Sequence, residues 1–217
     1  MNPRPRITID ANCNVNLFDV SSTSATSVEP LSALIRYAME AKVEIAATTR
    51  VESDLLRDRD EGRRAALLRT LSLFPIISSI KRWDVPKWNA DEWADPAIVR
   101  LSEEIQQILS PGLSTNDPRY ENKINDIDHL TGHLIDRRDI FVTDDKGILK
   151  RREQLRRGPG IVVMSPAECL AHIDEIELRS RPRTLPSEGL DPAYHSPALS
   201  GTAAFDYSNN NHRYAIG

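Results

Sequence analysis

The stretch Ile140-Phe141-Val142-Thr143-Asp144-Asp145 restricts the folds open to this chain more than any other. Three β-branched or aromatic residues in a row read as a short buried strand, and it runs out into a hydroxyl and two carboxylates. Ahead of it, residues 128–138 carry the apolar spacing of one amphipathic helix, entered through Asn125-Asp126. A helix leading into a short buried strand is half of a βαβ unit. In such units the C-terminal ends of strands lie at the rim where ligands bind.

The same alternation recurs along the chain. Residues 6–9 are an alternating, β-branched strand that ends at Asp10. Residues 43–47, 74–80 and 161–164 read as further strands. Between them, Pro30 opens a helix with Leu31, Leu34, Ile35 and Ala38 on one face, and Thr48-Thr49-Arg50 leads into a charged helix over 51–60. Helices are also predicted over 61–73, 96–109 and 146–157, and from Ser165-Pro166 to about residue 178. Strands separated by helices predict an α/β fold: a three-layer α/β/α domain with a mainly parallel central sheet, a helical insertion and an irregular tail. The domain is expected over 1–178. Residues 179–217, rich in Pro, Ser and Asn, have too little apolar content for a core and are expected to be flexible.

At 217 residues with 40% hydrophobic and 28% charged content, the chain suits one globular domain. It has no apolar run long enough to span a bilayer and no signal-type leader, so no membrane partner is expected. Cys13 and Cys169 lack metal-type spacing, which together predicts reduced thiols and a cytoplasmic home. Trp83, Trp88 and Trp93 recur every five residues and share no helical face, which fits packing within an insertion better than base stacking. Net charge is −4, yet Lys146, Lys150, Arg151, Arg152, Arg156 and Arg157 crowd into one short segment, which offers phosphate contacts to a nucleic acid.

Parallel topology gathers carboxylates at one edge. Asp10 ends a strand, Asp145 lies just past another, and Asp126 and Glu52 start helices that run back from the same rim, with Asp54 a competitor for the place of Glu52. Four crowded carboxylates repel unless a cation sits among them. Hard oxygen donors suit Mg²⁺ or Mn²⁺, ions that activate water against a phosphodiester. His129 and His133 stand four apart on one helical face but lack the Glu and third ligand of a zinc site, so a packing or supporting role is expected. A phosphatase of the haloacid dehalogenase kind needs a second aspartate where this chain has Asn12.

The chain resembles the PIN-domain nucleases, a fold of toxin ribonucleases and RNA-processing enzymes. The resemblance covers about residues 6–175 and rests on the order of Ile7-Thr8-Ile9-Asp10-Ala11-Asn12, Glu52 behind Thr48-Thr49, Asp126-Ile127-Asp128-His129-Leu130, and Phe141-Val142-Thr143-Asp144-Asp145. It ends on Val162-Val163-Met164-Ser165-Pro166-Ala167-Glu168. It implies an endoribonuclease using Mg²⁺ or Mn²⁺, with Asp10, Glu52, Asp126 and Asp145 as catalytic and metal-binding residues. Asn12 and Thr143 fall on supporting polar positions, and Asp128 and Asp144 compete for the acidic places under a shifted register. The resemblance further implies RNA as partner, and for a toxin an antitoxin protein or a second copy of the chain. The alternative is a catalytically silent PIN-like module that binds RNA or a partner protein.

Overall fold

The computed structural model describes residues 4–18, 25–78 and 95–180. Among them five strands, β1 (Arg6–Ile9), β2 (Glu44–Thr48), β3 (Ile76–Ile77), β4 (Ile140–Val142) and β5 (Val163–Met164), form one all-parallel sheet in the order β3-β2-β1-β4-β5. Helices α1 (Ala11–Phe18) and α2 (Ala25–Met39) join β1 to β2, and α3 (Thr49–Leu55) and α4 (Glu61–Leu71) lie between β2 and β3. After β3 come α5 (Pro96–Leu109) and α6 (Tyr120–Ile135), then α7 (Lys146–Lys150) and α8 (Arg152–Arg157) between β4 and β5, and last α9 (Pro166–Ser180). No described helix is long and apolar enough to cross a membrane.

Strand register divides the core in two. Ile7 lies opposite Ile45 and Ile140, and Ile9 opposite Ala47 and Val142, while Thr8 lies opposite Ala46 and Phe141. Alternate rows face opposite sides of a pleated sheet. The isoleucine rows pack with Leu31 and Leu34 of α2, Leu67 and Leu71 of α4, and Cys169 and Ile173 of α9. The Phe141 row packs with Ile105 of α5, Ile127 and Leu130 of α6, Ile148 and Leu155. A parallel sheet buried by helices on both faces is compatible with three α/β/α layers.

Several boundaries differ from expectation, each for a local reason. Helix α6 starts at Tyr120, because Tyr120, Ile124 and Ile127 extend its apolar stripe N-terminally. Asp126 therefore stands in its second turn and not at its start. Pro30, expected at a first helical position, lies inside α2, where the buried Leu31 and Leu34 hold the helix despite the lost backbone bond. The basic helix over 146–157 is two helices broken at Arg151, whose guanidinium donates to the Ile108 carbonyl at 2.9 Å. A helix that no sequence pattern announced, α1, follows Asp10 at once. Helix α9 runs to Ser180, two residues past the expected end of the domain. Trp83, Trp88, Trp93 and the tail from 181 lie outside the described residues.

The N-terminal edge of the sheet is tied by one buried cation. Arg138, 6% exposed, donates to the carbonyls of Ile7 (3.0 Å) and Glu44 (2.7 Å) and pairs with Glu44 (2.9 Å) and Asp136 (3.0 Å). It thereby joins β1 and β2 to the turn before β4. Arg138→Met should cost about 1–3 kcal/mol, because it leaves the Ile7 and Glu44 carbonyls without this donor, while the part-exposed Glu44 and Asp136 carboxylates regain water. Arg138→Lys should not recover it, since an ammonium lacks the planar fork. Urea denaturation of both variants checks this.

Candidate acidic site at the sheet edge

The sheet grows from β1 to β2 and β3 on one side, then continues through β4 and β5 on the other. In such sheets the crevice for a ligand opens where the order reverses, beyond the C-terminal ends of the strands. Here that place lies between β1 and β4, the two strands that end in Asp10 and in Thr143-Asp144-Asp145.

Asp10 is only 3% exposed. One carboxylate oxygen accepts from the Ala11 amide at 2.8 Å, and the other accepts from the Thr143 hydroxyl at 2.6 Å and from Asn12 Nδ2 at 3.4 Å. Thr143 also accepts the Asp145 amide at 2.9 Å, so one buried hydroxyl fixes Asp10 and Asp145 together. Asp145 caps α7 through Ile148 N at 2.9 Å. A side chain at Gly147 would meet its Oδ1 at 2.9 Å, so the glycine lets Asp145 fold back over the helix start. Burial, with the Asp145 charge adding, holds the Asp10 carboxyl above its ordinary range, against the pull of His129, Thr143 and Ala11.

Helix α6 brings the third acid. Asp126 is pushed up to about 6 by burial and by the charges of Asp10 and Asp145, although Lys123 Nζ donates to it at 2.9 Å. Asp10, Asp126 and Asp145 thus act on one another from three separate elements. Glu52 does not join them: it is exposed on α3. The α3 acid at the site is Asp54, held by Asn125 Nδ2 at 2.5 Å and by His129 Nε2 at 3.2 Å. Asn125 and His129 sit four apart on α6 and so clamp one carboxylate. His129 also meets Thr48 through Nδ1 and lies 3.9 Å from Asp10. Burial lowers the basicity of this imidazole, but the bond to Asp54 and the charges of Asp10, Asp54 and Asp126 outweigh it and leave its pKa raised.

The other acids are engaged elsewhere. Asp128 is fully buried and pairs with Arg50 at 2.6 Å. Asp144 accepts from Asn16 at 2.8 Å and Ser27 at 2.9 Å, bracing the loop after β4 against α1 and α2. His133 is a core residue: it bonds Thr8 Oγ1 at 2.9 Å and meets Phe141 edge-on, and burial together with the Arg138 charge lowers its pKa to about 3. Cys13 is buried, and burial pushes its thiol well up.

The basic segment divides in the same way. Arg152 pairs with Glu168 at 2.7 Å, and Arg156 and Arg157 pair with Glu153 at 3.3 and 2.7 Å. Arg151 is committed to Ile108. Lys146 and Lys150 have no ion pair among the described residues.

Among the described residues no three His, Cys, Asp or Glu side chains stand close enough together to hold a metal ion. The donor chemistry fits a hard divalent ion even so: three carboxylates with no thiolate, two of them raised in pKa by burial and neighbouring charge. Lys123 occupies one oxygen of Asp126 and leaves the other for an ion. No protein-family model matches the chain, and no curated protein matches it in sequence.

Asp126 and Asp128 should respond oppositely to neutralisation. With Asp126 at about 6 in the fold against an ordinary 3.8, the unfolded chain loses its proton first. The metal-free protein therefore loses stability as pH rises from about 4 to about 6, by up to about 3 kcal/mol from this group. With chelator present, Asp126→Asn should remove that component and melt no lower than wild type at pH 7. Asp128→Asn should cost about 3 kcal/mol by stranding Arg50. Melting temperatures across pH 4–7 test both.

Proposed function

We propose that the protein is a metal-dependent endoribonuclease of the PIN-domain kind, with Asp10, Asp126 and Asp145 as the carboxylates that would hold Mg²⁺ or Mn²⁺. One observation supports the reading: acids from β1, α6 and the end of β4 lie at the switch-point edge of a parallel sheet, where the charges of Asp10 and Asp145 act on Asp126. Stability alone gives no reason to gather them there. The motif order along the chain and the strand order of the sheet support the family likeness.

Bound at these carboxylates, a divalent ion would polarise a phosphoryl oxygen and yield hydroxide from water at neutral pH. The chain's own residues keep the carboxylates aimed. Thr143 holds Asp10 in register with Asp145, and Asn125 and His129 hold Asp54 beside them. On this reading Asp54, and not Glu52, is the α3 carboxylate of the site. A toxin ribonuclease and an RNA-processing enzyme would use the same chemistry. A silent module that binds RNA or a partner protein is favoured by one observation, the Lys123–Asp126 pair.

Incubation of single-stranded RNA with the full chain in Mg²⁺ or Mn²⁺, with and without chelator, separates the two. A nuclease cuts only with the ion and leaves 5′-phosphate and 3′-hydroxyl ends, because water and not the ribose hydroxyl attacks. Asp145→Asn should abolish cutting, and Asp54→Asn should lower it about 10–100-fold as a residue that orients His129 beside Asp10. RNA that is bound and never cut, in any divalent ion, favours the silent module.

A further inference from the structure

We infer that Lys146 and Lys150 seat a phosphate of the RNA strand in the groove between α7 and the start of α9, so that the strand enters the acidic site from the β5 side; this rests on the ribonuclease reading above. The groove is a shallow, open depression of about 560 Å³, and Lys146, Leu149, Lys150 and Ser165 line it. Its place is fixed by strand pairing. Thr143 N donates to the Met164 carbonyl at 3.1 Å, so Ser165 lies one strand outward from the Thr143–Asp145 turn, at the same edge of the sheet. Lys146 directly follows Asp145, and Lys150 stands four residues on, on the same face of α7.

Charge selects these two lysines from the six cations of the segment. Arg152 and Glu168 also border the groove but neutralise each other, and Glu168 is held further by Ser165 N and Oγ, at 2.9 and 3.0 Å, in the capping box of α9. Glu153, the remaining acid at the border, is bound by Arg156 and Arg157. Of the three cations that line the groove, only Lys146 and Lys150 have no ion pair among the described residues. Three carboxylates beside it repel a polyanion, so a strand needs fixed cations next to the site in order to approach, and phosphate contacts set its register over the reacting position. The half-buried Leu149 between the lysines offers apolar surface to a sugar or base.

Binding of a fluorescent single-stranded RNA to the full chain tests this. Asp126→Asn is included so that the RNA stays intact, and salt is varied. Lys146→Gln/Lys150→Gln should weaken binding about tenfold at low salt and reduce the slope of log K against log salt by about 0.7–1.4, the share of one or two phosphates. Lys146→Arg/Lys150→Arg should keep both, which separates lost charge from a damaged fold. Glu153→Gln/Arg156→Gln/Arg157→Gln, which removes the arginines together with the acid they bind, should leave the slope where it was. An unchanged slope in the lysine variant, or an equal loss in the arginine variant, overturns the inference. Hydrolysis of bis(p-nitrophenyl) phosphate, too short to span both places, reports on the acidic site alone in the unsubstituted protein. Failure there together with lysine-dependent RNA binding would sink the nuclease reading and leave the groove standing.

Discussion

The hydrogen bond from Thr143 to Asp10 is the contact on which the arrangement depends. It joins the ends of the two strands that flank the switch point, across 133 residues of sequence, and the same hydroxyl accepts the Asp145 amide. Because it is fully buried, its oxygen has few alternative partners, and Asp10 and Asp145 are held at a fixed offset. Burial then raises both Asp10 and Asp126 above their ordinary pKa range. Both carboxyls therefore ionise less readily than an exposed acid, and ionising them at this edge is costly.

The two ends of the sheet use charge in opposite ways. At the N-terminal edge, Arg138 is matched by two carboxylates and two carbonyls, and Arg6 adds a bond to the Asp136 carbonyl at 2.8 Å. That end is satisfied and serves stability. At the C-terminal edge the negative charge exceeds the local positive charge, which His129 and Lys123 only partly offset. Acidic charge gathered at this edge supports the proposal that it is the working one.

Much of this was legible in the chain. Asp10 and Asp145 were readable because each follows a short β-branched strand, and a parallel sheet sends all such ends to one side. Asp126 was readable as an acid in the helix before β4, though its turn was misplaced because the apolar stripe begins as far back as Tyr120. For the α3 acid the sequence offered both Glu52 and Asp54 and could not choose between them. Val51 and Leu55 define the buried stripe of that helix, and Glu52 and Asp54 flank it about 80° to either side. Which flank faces α6 is decided by tertiary packing, and the polar pair Asn125 and His129, four apart on α6, was the one available clue. The basic run was legible as composition only. Its division into three arginines paired with acids, Arg151 bonded to the Ile108 carbonyl and two lysines with no ion pair among the described residues depends on Glu153 and on Glu168, and Glu168 meets Arg152 only in the fold.

The most direct test of the central claim is calorimetric titration of Mn²⁺ into the full chain at pH 7. Wild type should bind, Asp10→Asn, Asp126→Asn and Asp145→Asn should each lose binding, and Glu52→Gln should keep it. Binding that survives all three aspartate substitutions, or that is lost with Glu52, would contradict the assignment of this edge as a divalent-metal site.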